Sequence, residues 1–98
     1  MNLGLKEREI DEIKILHYLF PQINQIIIFG SRARGDYNRT SDIDIAITGQ
    51  IDEIIYKIRD YFEESNLLYT VDVVNYNSIT DMEFKKNIDT EGIILNCY

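Results

Sequence analysis

Residues 26–47 read IIIFGSRARGDYNRTSDIDIAI, a pattern that predicts two strands joined by a glycine turn and a short polar segment. The apolar run that opens it is typical of a strand buried on both faces. Gly30 and Ser31 follow that run, ten residues separate Ser31 from Asp42, and Asp44 lies two positions further on. Alternate residues of a strand share one face, so Asp42 and Asp44 should project together while the isoleucines between them face the core.

The Gly30-Ser31 turn has the composition of a phosphate-binding turn. A backbone that approaches a phosphate closely needs a residue without a side chain at the nearest point, and Gly30 supplies it. Ser31 offers a hydroxyl and an N–H, and a short helix expected after it would direct its positive N-terminus at an anion. Arg32 and Arg34 follow, where either guanidinium could bind a phosphate. The alternative is that these arginines are solvated or pair with Asp36.

A third acid, Asp72, lies in the next strand-like run, residues 68–75. If that strand lies beside the one that carries Asp42 and Asp44, three carboxylates converge. Two such charges would repel by roughly 2–3 kcal/mol at an effective dielectric of about 20, so the cluster needs cations. Its oxygen ligands suit a pair of Mg²⁺ ions, which stabilise the attacking and leaving oxygens of a phosphoryl transfer. Ser41 could cap the segment or hydrogen-bond a metal-ligating carboxylate.

Each part of this pattern also has a plain structural interpretation. A Gly-Ser pair after a strand is usually a turn, and D-x-D commonly lies on the solvated face of a strand. The complete combination is rarer than its parts and favours function. GSRARG followed by SDIDIAI, with a later VDVV run, resembles the DNA polymerase beta-like nucleotidyltransferase superfamily. The chain most resembles its minimal nucleotidyltransferase (MNT) domains, which often act as antitoxins beside a HEPN-domain toxin.

The resemblance implies a reaction and a role for each matching residue. Gly30 and Ser31 would hold the β- and γ-phosphates of ATP, with Arg32, Arg34 and Ser41 as further candidates for the nucleotide site. Asp42 and Asp44 would bind two Mg²⁺ ions, and Asp72 would ligate the catalytic metal and help to deprotonate the acceptor. AMP would pass from ATP to a hydroxyl of the HEPN toxin, a tyrosine by analogy, with release of pyrophosphate. A catalytically inactive antitoxin that neutralises its partner by stoichiometric binding, and transfer to a small-molecule hydroxyl, stay open as alternatives.

Length and composition predict a single domain over residues 1–98, and the resemblance implies that it is a minimal nucleotidyltransferase domain. The net charge of −7 argues against direct binding of nucleic acid, which would need a basic face. No run resembles a signal peptide or is long enough to cross a membrane. The single cysteine, Cys97, suits a reducing cytoplasm, and the single histidine, His17, is expected to be a surface or partly packed residue.

The remaining periodicity predicts an α+β fold in which helices pack on a mixed β-sheet, and the resemblance implies the polymerase beta-like nucleotidyltransferase fold. A Thr80-x-x-Glu83 capping box should open the last helix. We predict helices over residues 6–20, 51–64 and 80–89. Besides the strand that carries Asp42 and Asp44, we predict strands over residues 25–29, 68–75 and 93–98.

Overall fold

The computed structural model describes residues 3–96, and its elements follow the predicted order. They are α1 (Glu7–Lys14), α2 (Leu16–Leu19), β1 (Ile23–Phe29), α3 (Ser31–Arg34), β2 (Ile43–Gly49), α4 (Ile55–Glu63), β3 (Val71–Asn75), a 3₁₀ helix (Tyr76–Ser78), α5 (Met82–Glu91) and β4 (Ile93–Leu95). Cys97 and the predicted end of the last strand lie outside the described residues. No helix within residues 3–96 combines the length and the apolar character needed to cross a membrane.

The strands form a four-stranded sheet in the order β3-β2-β1-β4. β1 is antiparallel to both β2 and β4, whereas β2 and β3 run parallel. The predicted α+β fold with a mixed sheet is therefore confirmed. β3 occupies one edge of the sheet, so among residues 3–96 no strand pairs with the outer side of its backbone.

Isoleucine fills one face of the two central strands. Ile43, Ile45 and Ile47 of β2 are fully buried, as are Ile26 and Ile28 of β1. Helices α1 and α4 contribute to the same core cluster and so cover this face. This alternation is the one predicted for β2, and it forces the residues between the isoleucines onto the opposite face, where α5 packs.

The first helix differs from its prediction. A single helix over residues 6–20 was expected, but α1 ends at Lys14 and α2 begins at Leu16. The Tyr18 N–H donates to Ile15 O at 2.9 Å, a tighter turn than that of an α-helix. The break leaves Ile15 41% exposed while Leu16 is fully buried, so it turns the apolar stripe back toward the core.

Two further elements begin later than predicted. Helix α4 begins at Ile55 rather than at residue 51, because residues 51–54 form a separate turn in which the Ile54 N–H donates to Ile51 O at 2.9 Å. β3 begins at Val71, and Leu68, which was predicted to open this strand, is 88% exposed.

The start of α5 shows which of two adjacent capping residues is used. Its N-cap is Asp81, whose carboxylate accepts hydrogen bonds from the N–H groups of Glu83 at 3.0 Å and Phe84 at 3.2 Å. The predicted capping box at Thr80 is therefore wrong by one residue. Asp81 satisfies the donors that Thr80 was expected to satisfy.

We expect Asp81→Ala to lower the free energy of unfolding by about 1 kcal/mol, because it leaves two N–H groups of the first turn without an acceptor. Thr80→Ala is the matched control and should change stability by less than about 0.5 kcal/mol. Urea denaturation of the two variants measures both values. Equal losses would show that the two residues share the capping role.

Candidate active site

Asp44 and Asp72 lie side by side on neighbouring strands. In the parallel register of β2 and β3, Asp44 is the direct partner of Asp72. Phe29 of β1 is the antiparallel partner of Asp44. The three side chains therefore form one row across the sheet, on the face opposite the isoleucine core. Because adjacent strands lie about 4.8 Å apart, the two carboxylates are close enough to share one cation.

Asp42 was predicted to lie within the second strand, but it lies just before that strand, at the rim of the acid pair. β2 begins at Ile43, whose N–H donates to Thr70 O at 2.9 Å, and the side chain of Asp42 is exposed. Its charge acts on Asp44, yet within residues 3–96 no group of three or more His, Cys, Asp or Glu side chains is placed to hold a metal ion. The fold thus pairs two of the three predicted acids and leaves the third beside them.

The raised pKa of Asp44 indicates that the negative charge of the acid pair is only partly balanced by nearby cations. Burial, followed by the negative charges of Asp72 and Asp42, raises the pKa of Asp44 above the usual range of an aspartate, and Arg34 opposes this shift. An ionised pair here is only partly compensated. Carboxylate oxygens are the ligands that Mg²⁺ prefers, so the chemistry of the donors fits a divalent cation.

The glycine turn adjoins the acid pair. Gly30 has a φ of 74° and a ψ of −154°, a conformation that residues with side chains rarely adopt. A Cβ on Gly30 would also lie 3.1 Å from Cγ of Asp44 and closer still to a carboxylate oxygen. Ser31 begins α3 directly after this contact. The predicted phosphate-binding turn therefore lies where a phosphate would be next to the carboxylates.

Arg32 does not have the position expected of a phosphate ligand. It is 1% exposed, and its guanidinium donates at 2.9–3.2 Å to three backbone carbonyls, those of Leu3, Gly4 and Ser41. Two aromatic rings flank it, with centroids 5.3 and 4.6 Å from Cζ, those of Tyr37 and Tyr69. Neither the phosphate contact nor the solvated alternative fits this geometry. Arg32 instead fastens the loop to the N-terminal segment.

Arg34, unlike Arg32, has a side chain that is accessible to solvent. Its guanidinium forms ion pairs with Asp36 at 3.5 Å and Glu91 at 3.3 Å, and its side chain is 45% exposed. The hydrogen bond to Glu91, then the charge of Asp36, raises the pKa of Arg34. The ion pair with Asp36 is the alternative that was considered for Arg34. The charge of Arg34 also lowers the pKa of Asp44, which places Arg34 near the acids. Contact with a phosphate stays a prediction for this residue.

Ser41 closes the turn that precedes the acids. Its hydroxyl oxygen accepts from the Asn38 N–H at 2.9 Å, and its own N–H donates to Asn38 O at 3.2 Å. Its carbonyl is the one held by Arg32. These bonds fix the backbone before Asp42, whereas a contact between Ser41 and nucleotide stays a prediction.

A groove of about 830 Å³ opens beside the acid pair. Its wall includes Asp44, Asp72 and the outer edge of β3, together with Phe29 and Phe84, whose rings meet edge to face at 5.7 Å. Sequence reasoning missed this aromatic wall. The position of Phe29 directly before Gly30 was an available signal, but nothing in the local sequence places Phe84 of α5 opposite it.

Comparison with known proteins identifies the class. The family described as Polymerase beta, Nucleotidyltransferase matches residues 11–98, and the chain belongs to this family. The family and the enzyme class predicted from the motif, a nucleotidyltransferase, are thereby confirmed.

Individual relatives narrow the comparison. The chain is 40% identical over 82 residues to a protein of Methanocaldococcus jannaschii named "Putative protein adenylyltransferase", with 76% of this chain and 79% of that protein covered. It is similar to a chain of a toxin–antitoxin MntA–HpeT structure, with a TM-score of 0.70, 30% identity and coverage of 96% and 74%. A toxin–antitoxin structure with AMP-PNP gives a TM-score of 0.66, 27% identity and coverage of 91% and 73%.

We expect Arg32→Ala to lower the free energy of unfolding by about 3 kcal/mol, because it leaves the carbonyls held by the guanidinium without a charged donor and opens a cavity. Arg34→Ala is the matched control, since its ion pairs are exposed to solvent and should contribute little to stability. Urea denaturation measures both. A loss at Arg32 no greater than that at Arg34 would contradict the structural role.

Asp44→Asn should stabilise the metal-free protein at pH 7 by about 0.5 kcal/mol, a small value because solvent screens this half-open site. The pKa of Asp44 is higher in the folded protein than in the unfolded chain. Its favourable contribution to the free energy of unfolding is therefore complete below the ordinary aspartate pKa and is lost as the pH rises through the raised pKa of the folded state. The advantage of the variant should therefore disappear near pH 4. Thermal unfolding in EDTA at both pH values tests this, with Asp36→Asn as control. Destabilisation by Asp44→Asn at pH 7 would contradict the electrostatics.

Proposed function

We propose that this chain transfers AMP from ATP to a hydroxyl group of a partner protein, with Mg²⁺ bound between Asp44 and Asp72. The observation that carries the proposal is the cross-strand pairing of these two acids against the Gly30 turn. Membership of the nucleotidyltransferase family and the adenylyltransferase name of a relative support it. Residues 1–98 would act as one minimal domain, and a cytoplasmic location would supply the nucleotide.

Each residue of the site has a task in the proposed reaction. Gly30 and Ser31 would bind the β- and γ-phosphates through their backbone, and Asp44 and Asp72 would hold Mg²⁺, with Asp42 as a further ligand from the rim. Bound Mg²⁺ would supply charge neutralisation to the triphosphate and the departing pyrophosphate. Asp72 would take the proton of the acceptor hydroxyl. The hydroxyl oxygen forms a bond to the α-phosphorus as the bond between that phosphorus and the β-phosphate oxygen breaks.

The proposed partner is a HEPN-domain toxin, and the proposed acceptor is one of its tyrosines. Two of the similar structures are toxin–antitoxin complexes, and one of them contains AMP-PNP, which supports a toxin partner and an adenine nucleotide. Modification of the toxin would silence it, so the chain would act as an antitoxin. The net charge of −7 is also more compatible with a protein partner than with nucleic acid.

One observation favours a second function. Asp42 lies at the rim, and no three-ligand group is assembled within residues 3–96, as would suit an antitoxin that neutralises its partner by stoichiometric binding alone. The raised pKa of Asp44 weighs against this alternative, because a binding module gains nothing from a partly buried carboxylate that is repelled by a second acid beside it.

The two functions differ in what happens to the toxin. Incubation with the toxin, Mg²⁺ and ATP labelled at the α-phosphate should transfer label to a toxin tyrosine. Asp44→Asn and Asp72→Asn should each lower this transfer by about 100-fold or more, because each removes a charged group from the reacting centre. Asp36→Asn, an exposed acid outside the pair, is the matched control and should transfer normally. Neutralisation without label, equal in all four proteins, would establish the binding-only function.

A further inference from the structure

The outer edge of β3 presents backbone groups to which no strand of the described chain bonds. Across the β2–β3 pair, the Ile43 N–H donates to Thr70 O at 2.9 Å, and Ile43 is in register with Val71. In a parallel ladder, alternate residues of a strand bond to the same neighbour. The N–H and C=O of Asp72 therefore point toward β2, whereas those of Val71 and Val73 point away from the sheet.

The hydrogen bonds of this edge agree with that alternation. The Val73 carbonyl accepts from Nη2 of Arg59 at 3.1 Å, so it does point outward. No residue from 3 to 96 bonds to the outward N–H or C=O of Val71. Arg59 thus closes one end of the edge and leaves the part beside Val71 open.

This open edge runs along the groove that contains the acid pair. Thr70, Val71 and Val73 line the same 830 Å³ space as Asp44 and Asp72. In the row Phe29–Asp44–Asp72, one side of the acids is closed by a phenylalanine of β1. The next place in the row, about 4.8 Å beyond Asp72, is outside the molecule.

We propose that the acceptor protein docks by adding an extended segment to the edge of β3, pairing its backbone with Val71. This proposal rests on the proposed function and names how the acceptor is held. A residue of the added strand opposite Asp72 would project to the same face as Asp72, because paired residues share a face. A hydroxyl on that residue would then be presented to the Asp72 carboxylate.

Charge indicates the composition of the docked segment. The groove wall carries Asp44, Asp72 and Glu63, whereas Arg59, its cation, is already bound to the Val73 carbonyl. Basic residues that flank the hydroxyl residue would therefore be favoured over acidic ones. The added strand supplies affinity through its main chain, so recognition needs only a short segment in extended form.

The test uses a nine-residue peptide with a central tyrosine, alternating threonine and valine, lysine at both ends and a fluorescent label. Alternate N–H groups of an extended peptide point to the same edge. Two N-methylated forms of the peptide can therefore each block the N–H groups of one edge. One carries methyl groups on the residues next to tyrosine, and the other on tyrosine and the residues two away. One form should bind at least tenfold more weakly than the other by fluorescence anisotropy, and should accept correspondingly less AMP. Equal binding of both forms, or binding of neither form nor the parent peptide, would overturn the docking mode.

A matched pair of variants tests the same point from the enzyme. Val71→Pro removes the outward N–H without removing a bond to β2, and proline is tolerated on edge strands. It should weaken peptide binding at least tenfold, while ATP binding and AMP transfer to N-acetyltyrosinamide, which is too short to add a strand, are unchanged. Val71→Thr keeps the N–H and should behave as the wild type. If the proline variant does not fold, the methylated peptides with the wild-type protein decide.

The readouts keep this proposal apart from the proposed function. If binding depends on which amides are methylated but no AMP is transferred, the proposed reaction is refuted and the docking mode is left standing. Transfer of AMP to both methylated forms alike would refute the docking mode and leave the reaction standing. Sedimentation of the free protein as a dimer that Val71→Pro dissociates would show that a second copy covers the edge, and would overturn the proposal.

Discussion

The parallel pairing of β2 with β3 is the constraint on which the site depends. Parallel strands cannot be joined by a hairpin, so the chain between them crosses the sheet as α4. That helix buries Ile58 and Phe62 against the face that carries Ile45 and Val73. A slip of one residue would move these apolar side chains into solvent, so packing on one face fixes the register on the other. The acid pair is thus aligned by hydrophobic contacts on the side of the sheet that it does not occupy.

The same arrangement places an electrostatic cost at the candidate active site. Asp44 is partly buried beside Asp72, and its ionised form is disfavoured. The core on the opposite face offsets this cost, and Arg32 holds the surrounding loop by bonds to Gly4 and Ser41. Gly30 and the acids are therefore kept together by groups that lie outside the acid pair itself.

The sequence predicted those features that depend on neighbours in the chain. The alternation of apolar and polar residues correctly predicted that Ile43 and Ile45 are buried. The glycine turn and the helix after it follow from local backbone preference. Arg32 could not be placed because its partners in the N-terminal segment are distant in sequence. The N-cap of α5 differed for the opposite reason. Thr80 and Asp81 are adjacent residues with similar capping ability, and only the path of the chain selects between them.

The order of the strands also decides from which direction an acceptor can come. Asp44 is enclosed between Phe29 and Asp72, so the open approach along the row is past Asp72, across the edge of the sheet. In the proposed docking mode, the acceptor hydroxyl would arrive along this row, where β3 exposes its main chain. Selection by main-chain geometry requires little of the side chains around the hydroxyl. In the proposed docking mode the acceptor would itself extend the sheet, so its main chain would supply the contacts that hold it.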